Sequence, residues 1–427
     1  MNRKSSNRQG FAGTADSIRK HLQTLLCFCF PAMVCTGKAQ EVLIPRPEYS
    51  VVPSAMQEFQ TNAMNVFVPP EIAAWSQPEL PPLKWGPVDV RPHAFYQFLS
   101  GEGIPSLGSN HVSTIIQQIS PGLLINLGSH WAVDYTPTWS LYSNKQFRDT
   151  FDSKVMLTGG TTYEDWVFGL SQSYIAASAP LVETGTQTDT ESWLTGLKAT
   201  YRFNSKMTMD LAVNQNIVSA QNFTSYREWS TLDWLNYQFQ PRLEAGLGVG
   251  FGYVSMDSGS DMTYEQFQGR VGWRATDKIS FQIHGGLEVR QFLDGGDLIN
   301  PVVGGLIQYQ PFEVTKVSAT VNRTISASYF QNQVAESTDI VGDLNQRLLG
   351  KLYLDLAGGY HTIRYVAASG SPTARTDDYY TFSTRLSCPF LKRGTVAVFY
   401  QYSDNSSTAP GFTFSGKQVG FEIGYRF

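Results

Sequence analysis

From about residue 93 to the C-terminus, apolar and polar residues alternate with a period of two over long stretches, separated by polar or glycine-containing breaks. Near the end, Val419, Phe421, Ile423, Tyr425 and Phe427 share one face, and Gln418, Gly420, Glu422, Gly424 and Arg426 share the other. In 243–253, Leu243, Leu247, Val249 and Phe251 alternate with Glu244 and a run of glycines, and 279–290 repeats the pattern around Ile283 and Leu287. Successive side chains of a β-strand point to opposite faces, so each stretch predicts a strand with one lipid-compatible and one water-compatible face.

The breaks come in two alternating kinds. Tight ones fall at 128–130, 163–166, 203–206, 240–242, 275–278 and 349–351, whereas 144–152, 179–190, 367–376 and 404–413 are longer and polar. Short turns at one end and longer loops at the other predict an all-β transmembrane antiparallel barrel of about 18 strands (16–18), running from a short first strand at 93–99 to Phe427 with both termini on the short-turn side. A propeller is excluded because its blades need much shorter strands. None of the loops is conspicuously long, so no constriction folded in from outside is expected.

Composition agrees. Charged residues make up only 16% of the 427, against roughly 25% in ordinary globular chains, while aromatics reach 13%. Mean hydropathy is −0.21, and no apolar run approaches the roughly 18 residues of a spanning helix. Trp166, Trp193, Trp273, Tyr201, Phe203 and Tyr425 stand next to turns or loops, where amphipathic rings prefer the headgroup level.

Residues 1–39 read as a signal peptide: Arg3, Lys4, Arg8, Arg19 and Lys20, then an apolar core from Leu22 to Cys35, then Gly37-Lys38-Ala39 as a cleavage pattern. Residues 40–92 hold ten of the 21 prolines and read as an irregular periplasmic tail, with a lumenal plug as the alternative. Residues 93–427 are the barrel. Without the leader the chain carries 26 basic and 35 acidic residues, a net charge of −9 that argues against nucleic acid as a partner. Only Cys388 survives cleavage, which excludes an intrachain disulfide, and no metal-binding spacing occurs.

Neither a nucleophile elbow, a zinc-protease helix nor a phosphate loop is present, so no catalytic, cofactor or metal residues are assigned. Glu244, Glu288, Glu422 and Asp210 all fall on inward positions, and a carboxylate pair for glycoside cleavage is the one enzymatic alternative. The candidate lumen-lining residues are Lys198, Arg202, Glu244, Arg270, Glu288, Arg290, Glu422 and Arg426; mixed charges there would create transverse fields that filter polar solutes. Two residues fit badly. Arg323 and Asp233 fall on lipid-facing positions, which predicts either a bulge or contact with another protein.

The strings 345–352 (NQRLLGKL), 390–395 (FLKRGT) and 399–407 (FYQYSDNSS), with the closing 418–427, resemble the type 2 β-barrel porin family often encoded with bacterial exopolysaccharide production and export systems. The likeness runs loosely from about Pro121 and omits the proline-rich segment. It implies an outer-membrane location and a supporting role in polysaccharide secretion, with polysaccharide-export components as partners; no site residue carries over. The aromatic ending at Phe427 is the usual finish of substrates of the barrel-assembly machinery, and outer-membrane lipid and lipopolysaccharide complete the expected partners. Two functions stay open: passage of solute or polymer through the lumen, and a structural or adhesive barrel whose loops bind a surface partner.

Overall fold

The computed structural model describes residues 83–102, 112–128, 130–293, 295–367, 375–390 and 393–426, with Arg426 described in its backbone only. The signal peptide, residues 40–82 of the proline-rich segment and Phe427 lie outside the described residues.

Every regular element among the described residues is a strand. A short β1 (Leu83–Trp85) turns into β2 (Val88–Glu102), followed by β3 (Thr114–Leu127), β4 (Trp131–Tyr142), β5 (Thr150–Tyr163) and β6 (Trp166–Pro180). Next come β7 (Gln187–Arg202), β8 (Met207–Ala220), β9 (Tyr226–Gln240), β10 (Leu243–Met256), β11 (Met262–Arg274) and β12 (Ile279–Phe292). The chain continues through β13 (Asp297–Phe312), β14 (Thr315–Ala327), β15 (Gln333–Leu348) and β16 (Leu352–Ala367) to β17 (Arg375–Phe390), β18 (Gly394–Ser407) and β19 (Phe414–Arg426). Each strand from β2 to β19 pairs antiparallel with the next, and β19 pairs with β2 from Lys417↔Glu102 to Arg426↔His93. The sheet therefore closes into an 18-stranded barrel.

The first barrel strand is longer than the sequence pattern suggests. It starts at Val88, not at His93, and carries Pro92 inside it. Residues 88–90 pair with β1 as well as β3, and the described β19 pairing stops at His93, so Pro92, with no N–H, sits where β3 is its one ladder partner.

Apolar side chains face outward in a continuous belt, with Leu247 75% exposed in mid-strand. Such a surface is tolerable only against lipid. Rings collect at both rims: Trp166, Phe168, Tyr201 and Phe203 stack near the tight turns, and Trp139 against Phe151 and Tyr174 against Trp193 lie nearer the loops. Leu247→Arg is accordingly expected to lower folding stability in lipid by about 2–4 kcal/mol. Glu244→Arg, three positions toward the turn on the inner face, should stay within about 1 kcal/mol. Equilibrium refolding into vesicles measures both, and equal costs would contradict the membrane assignment of the belt.

Both misfit charges mark interruptions of the ladder. Between Asp210 and Val213 the β8–β9 pairing lapses, and the Asp233 carboxylate accepts the freed Ala212 N–H at 3.0 Å. Arg323 forms the last β13–β14 pair, with Val303; above it β14 continues to Ala327 with β15 as its only ladder partner.

Candidate functional site

The inner wall is built around glycines. Trp234 lies over Gly248, where an added Cβ would come 2.8 Å from the indole, and Tyr264 lies over Gly252 in the same way. Flattened rings leave their free faces to cations: the Arg270 guanidinium sits 4.4 Å above Trp234, and Arg290 sits 4.6 Å above Tyr264. The glycine run of β10 is thus the floor on which two inward arginines are held.

Each of those arginines meets a carboxylate. Arg270 reaches Asp210 at 2.6 Å and donates to Asn236 at 2.9 Å. Arg290 pairs with Glu288 at 2.8 Å, Gln266 donates to the other Glu288 oxygen at 2.6 Å, and Tyr264 donates to Glu228 at 2.6 Å. Across the lumen Arg385 joins Glu422 and Asp355, and His361 bonds Asp339 at 2.6 Å. Arg290 and Glu288 are each about 1% exposed, so this pair is enclosed, whereas Lys198, Arg202 and Glu244 stay exposed on the inner face of the tight-turn half. The Arg426 side chain lies outside the described residues. Of the four carboxylates considered for glycoside cleavage, Asp210, Glu288 and Glu422 are each tied to an arginine.

Among the described residues two short segments reach across the loop end, contrary to the expectation drawn from loop length. The β6–β7 loop is a tight curl: Gly185, at φ +66°, donates to the Leu181 carbonyl at 2.8 Å, and Leu181 donates to Thr186 at 3.1 Å. Its Val182 packs with Tyr379 of β17 and Phe414 of β19. Strands β7 and β17 lie far apart around an 18-strand ring, so this contact crosses the opening.

The tip of the β14–β15 hairpin meets the curl from the other side. Ser328 Oγ and Tyr329 N donate to the Glu183 carboxylate at 2.7 and 2.8 Å. Thr224 N donates to the Tyr329 carbonyl at 2.9 Å, and Ser260 N to Asn332 Oδ1 at 2.8 Å. Arg375 of β17 donates to the Glu183 carbonyl at 2.9 Å and pairs with Asp377 at 2.9 Å. Its guanidinium is clamped between the Tyr365 and Phe412 rings at 4.1 and 4.0 Å. Beneath the tip an apolar cluster packs the hairpin against the inner faces of β8 to β12, with Val254, Met262 and Val334 at 0–1% exposure.

No family model matches the chain, and no curated protein matches it. Solved structures similar to it include the outer membrane protein OpdK from Pseudomonas aeruginosa, 12% identical over 79% of this chain and 98% of that one, with a TM-score of 0.44. Pseudomonas aeruginosa OccK2 (OpdF), solved in complex with glucuronate, is 11% identical over 79% and 98%, with a TM-score of 0.44. Acinetobacter baumannii OccAB4 is 10% identical over 79% and 98%, with a TM-score of 0.43.

Glu183 and Arg375, which hold the mouth, were not among the residues singled out by alternation, since both stand at or beyond strand ends. Their only sequence signal is membership of the polar loops 179–190 and 367–376. Although the residue as a whole keeps some exposure, the Glu183 carboxyl group is enclosed, and burial raises its pKa above the ordinary carboxylate value. Hydrogen bonds from Ser328 and Tyr329 and the charge of Arg375 oppose the rise without cancelling it, and Asp377 adds to it.

Proposed function

We propose that this chain is a gated, porin-like channel of the bacterial outer membrane, with its tight turns and termini in the periplasm. The observation that carries the reading is a lumen walled by paired charges and shut at one end by two small segments that meet at Glu183. A polar wall with transverse ion pairs suits polar solutes or a polysaccharide, and the resemblance to exopolysaccharide-linked porins favours the polymer or its fragments. Polysaccharide-export components are the partners this implies. Lipopolysaccharide would surround the belt, and the assembly machinery would engage the last strand. The closed mouth equally favours a second reading, a receptor or scaffold that holds no open pore.

Single-channel recording of the purified full chain in a planar bilayer separates the two. Because the docked Glu183 has the raised pKa, docking is strongest below the ordinary carboxylate value and weakens as pH climbs through the raised one. We expect a mostly closed pore whose brief openings become more frequent toward alkaline pH. Glu183→Gln, which keeps the acceptor oxygen and cannot ionise, should remain closed across the range. Silence at every pH, with heat-modifiable gel migration proving a folded barrel, would leave the receptor reading.

A further inference from the structure

The fold that shuts the mouth also parts the wall. Above the Val303↔Arg323 pair, β13 continues through Asp297 with β12 as its partner, and no described pairing joins residues 297–302 to β14. The β14–β15 hairpin has left the wall and turned inward. By alternation Ile325, Ala327 and Val334 should face lipid, yet all three are buried with Met262 and Phe292, whose side chains point into the lumen. Leu298, on the inner face of β13, packs on the same cluster. The hairpin therefore lies behind β13, and the two overlap like a lap joint.

This joint lies at the loop-side border of the apolar belt. Ile299 on the outer face of β13 is 67% exposed and pairs with Val289 of β12, which in turn pairs with Glu265 at the polar rim on β11. Unpaired backbone groups facing hydrocarbon cost several kcal/mol each, so a wall with no task here would continue its ladder. The costs are trimmed locally. Pro301 brings no N–H, and the Arg323 guanidinium donates to the Pro301 carbonyl at 3.2 Å, to Thr338 at 3.0 Å and to Glu336 at 3.2 Å. That one side chain bridges the two flaps. Between them the surfaces are Leu298, Phe292, Ile325 and Val334, where a sugar would leave its hydroxyls without partners.

We propose that the β13–β14 joint is a lateral passage between the lumen and the membrane for a solute with an apolar, acyl-chain-like body, with Arg323 as its latch. The joint lies along the flank of the hairpin between Arg323 and Ala327, and Glu183 holds the same hairpin at its tip, so the route runs beside the mouth and not through it. The proposal goes beyond the channel reading and stands or falls apart from it.

The test is site-directed labelling of Val334→Cys in the full chain with Cys388→Ala, reconstituted in phosphatidylcholine vesicles. A membrane-dissolved pyrene maleimide competes against an impermeant sulfonated maleimide. The pyrene reagent is expected to react about tenfold faster. Adding Arg323→Ala should speed it by about another tenfold, the equivalent of losing about one charge-assisted hydrogen bond, without changing the sulfonated rate, and Arg323→Lys should restore much of the latch. Dodecanoate, not maltose, should slow the pyrene reaction. Ile325→Cys replaces Val334→Cys if the latter does not show heat-modifiable migration. A sulfonated reagent that reacts first, an Arg323→Ala effect equal for both reagents, or no competition by dodecanoate overturns the proposal. None of these readouts depends on conductance, so failure of the channel reading is seen independently.

Discussion

Replacing residues 182–185 by Gly-Ser-Gly-Ser should turn a mostly closed barrel into a persistently conducting one. The exchange removes the Glu183 carboxylate that receives Ser328 and Tyr329, and the apolar contact of Val182 with Tyr379 and Phe414. Two hydrogen bonds to a carboxyl group are together worth about 1–3 kcal/mol and the lost Val182 packing adds to this, so the closed-to-open ratio should fall on the order of 10-fold or more. The hairpin tip keeps its bonds to Thr224 and Ser260, so a residual substate of lower conductance is expected beside the open level. The recording should be repeated on a variant lacking residues 40–82, which leaves β1 and β2 whole. Conductance that appears only after that second deletion would show the N-terminal segment to be the plug and would overturn the assignment of the mouth to residues 181–186.

Arg290→Met is expected to be the most destabilising single change in the lumen. Arg290 is enclosed beside two carboxylates, Glu288 at 2.8 Å and Glu228 through the Tyr264 hydroxyl, and its Nη2 donates to the Ile325 carbonyl at 3.3 Å. Removing the cation strands Glu288 and Glu228 in an enclosed site and frees one anchor of the tucked hairpin. Breaking a buried pair in this way costs about 3–5 kcal/mol. The double change Glu288→Leu/Arg290→Met removes one of the stranded charges together with the cation and should recover part of the loss, because a buried ion pair is often replaceable by apolar volume. Guanidinium unfolding midpoints in detergent micelles compare the three chains. A single variant within about 1 kcal/mol of the parent would mean that the pair is hydrated and that the lumen is open at this level.

The mouth and the joint share a cause. A closed 18-strand ring encloses more space than inward side chains can fill, and glycine-rich inner faces enlarge it further. Small inward segments have room to enter and to bury apolar surface there. Hence a six-residue curl and a hairpin tip achieve what loop length alone would assign to a long insertion.

What the sequence determined by itself was everything that follows from the period of two: the barrel class, the tight-turn and loop ends, the outward belt around Leu247 and the inward placement of Arg270, Glu288, Arg290 and Glu422. Strand pairing between neighbours in the chain, once alternation sets the faces, leaves little else to decide. Alternation even flagged Arg323 and Asp233 as violations. The consequences of closure came from the folded ring alone, in which residues far apart around it become neighbours across the lumen. Glu183 meets Ser328 and Arg375 through contacts 145 and 192 residues apart, and no periodic pattern encodes such pairs. The inversion of the β14–β15 tip was hidden for the same reason. Ile325 and Val334 keep the alternation of lipid-facing residues while packing inside, because period two fixes which side of the strand a residue occupies and not which side of the wall the strand lies on.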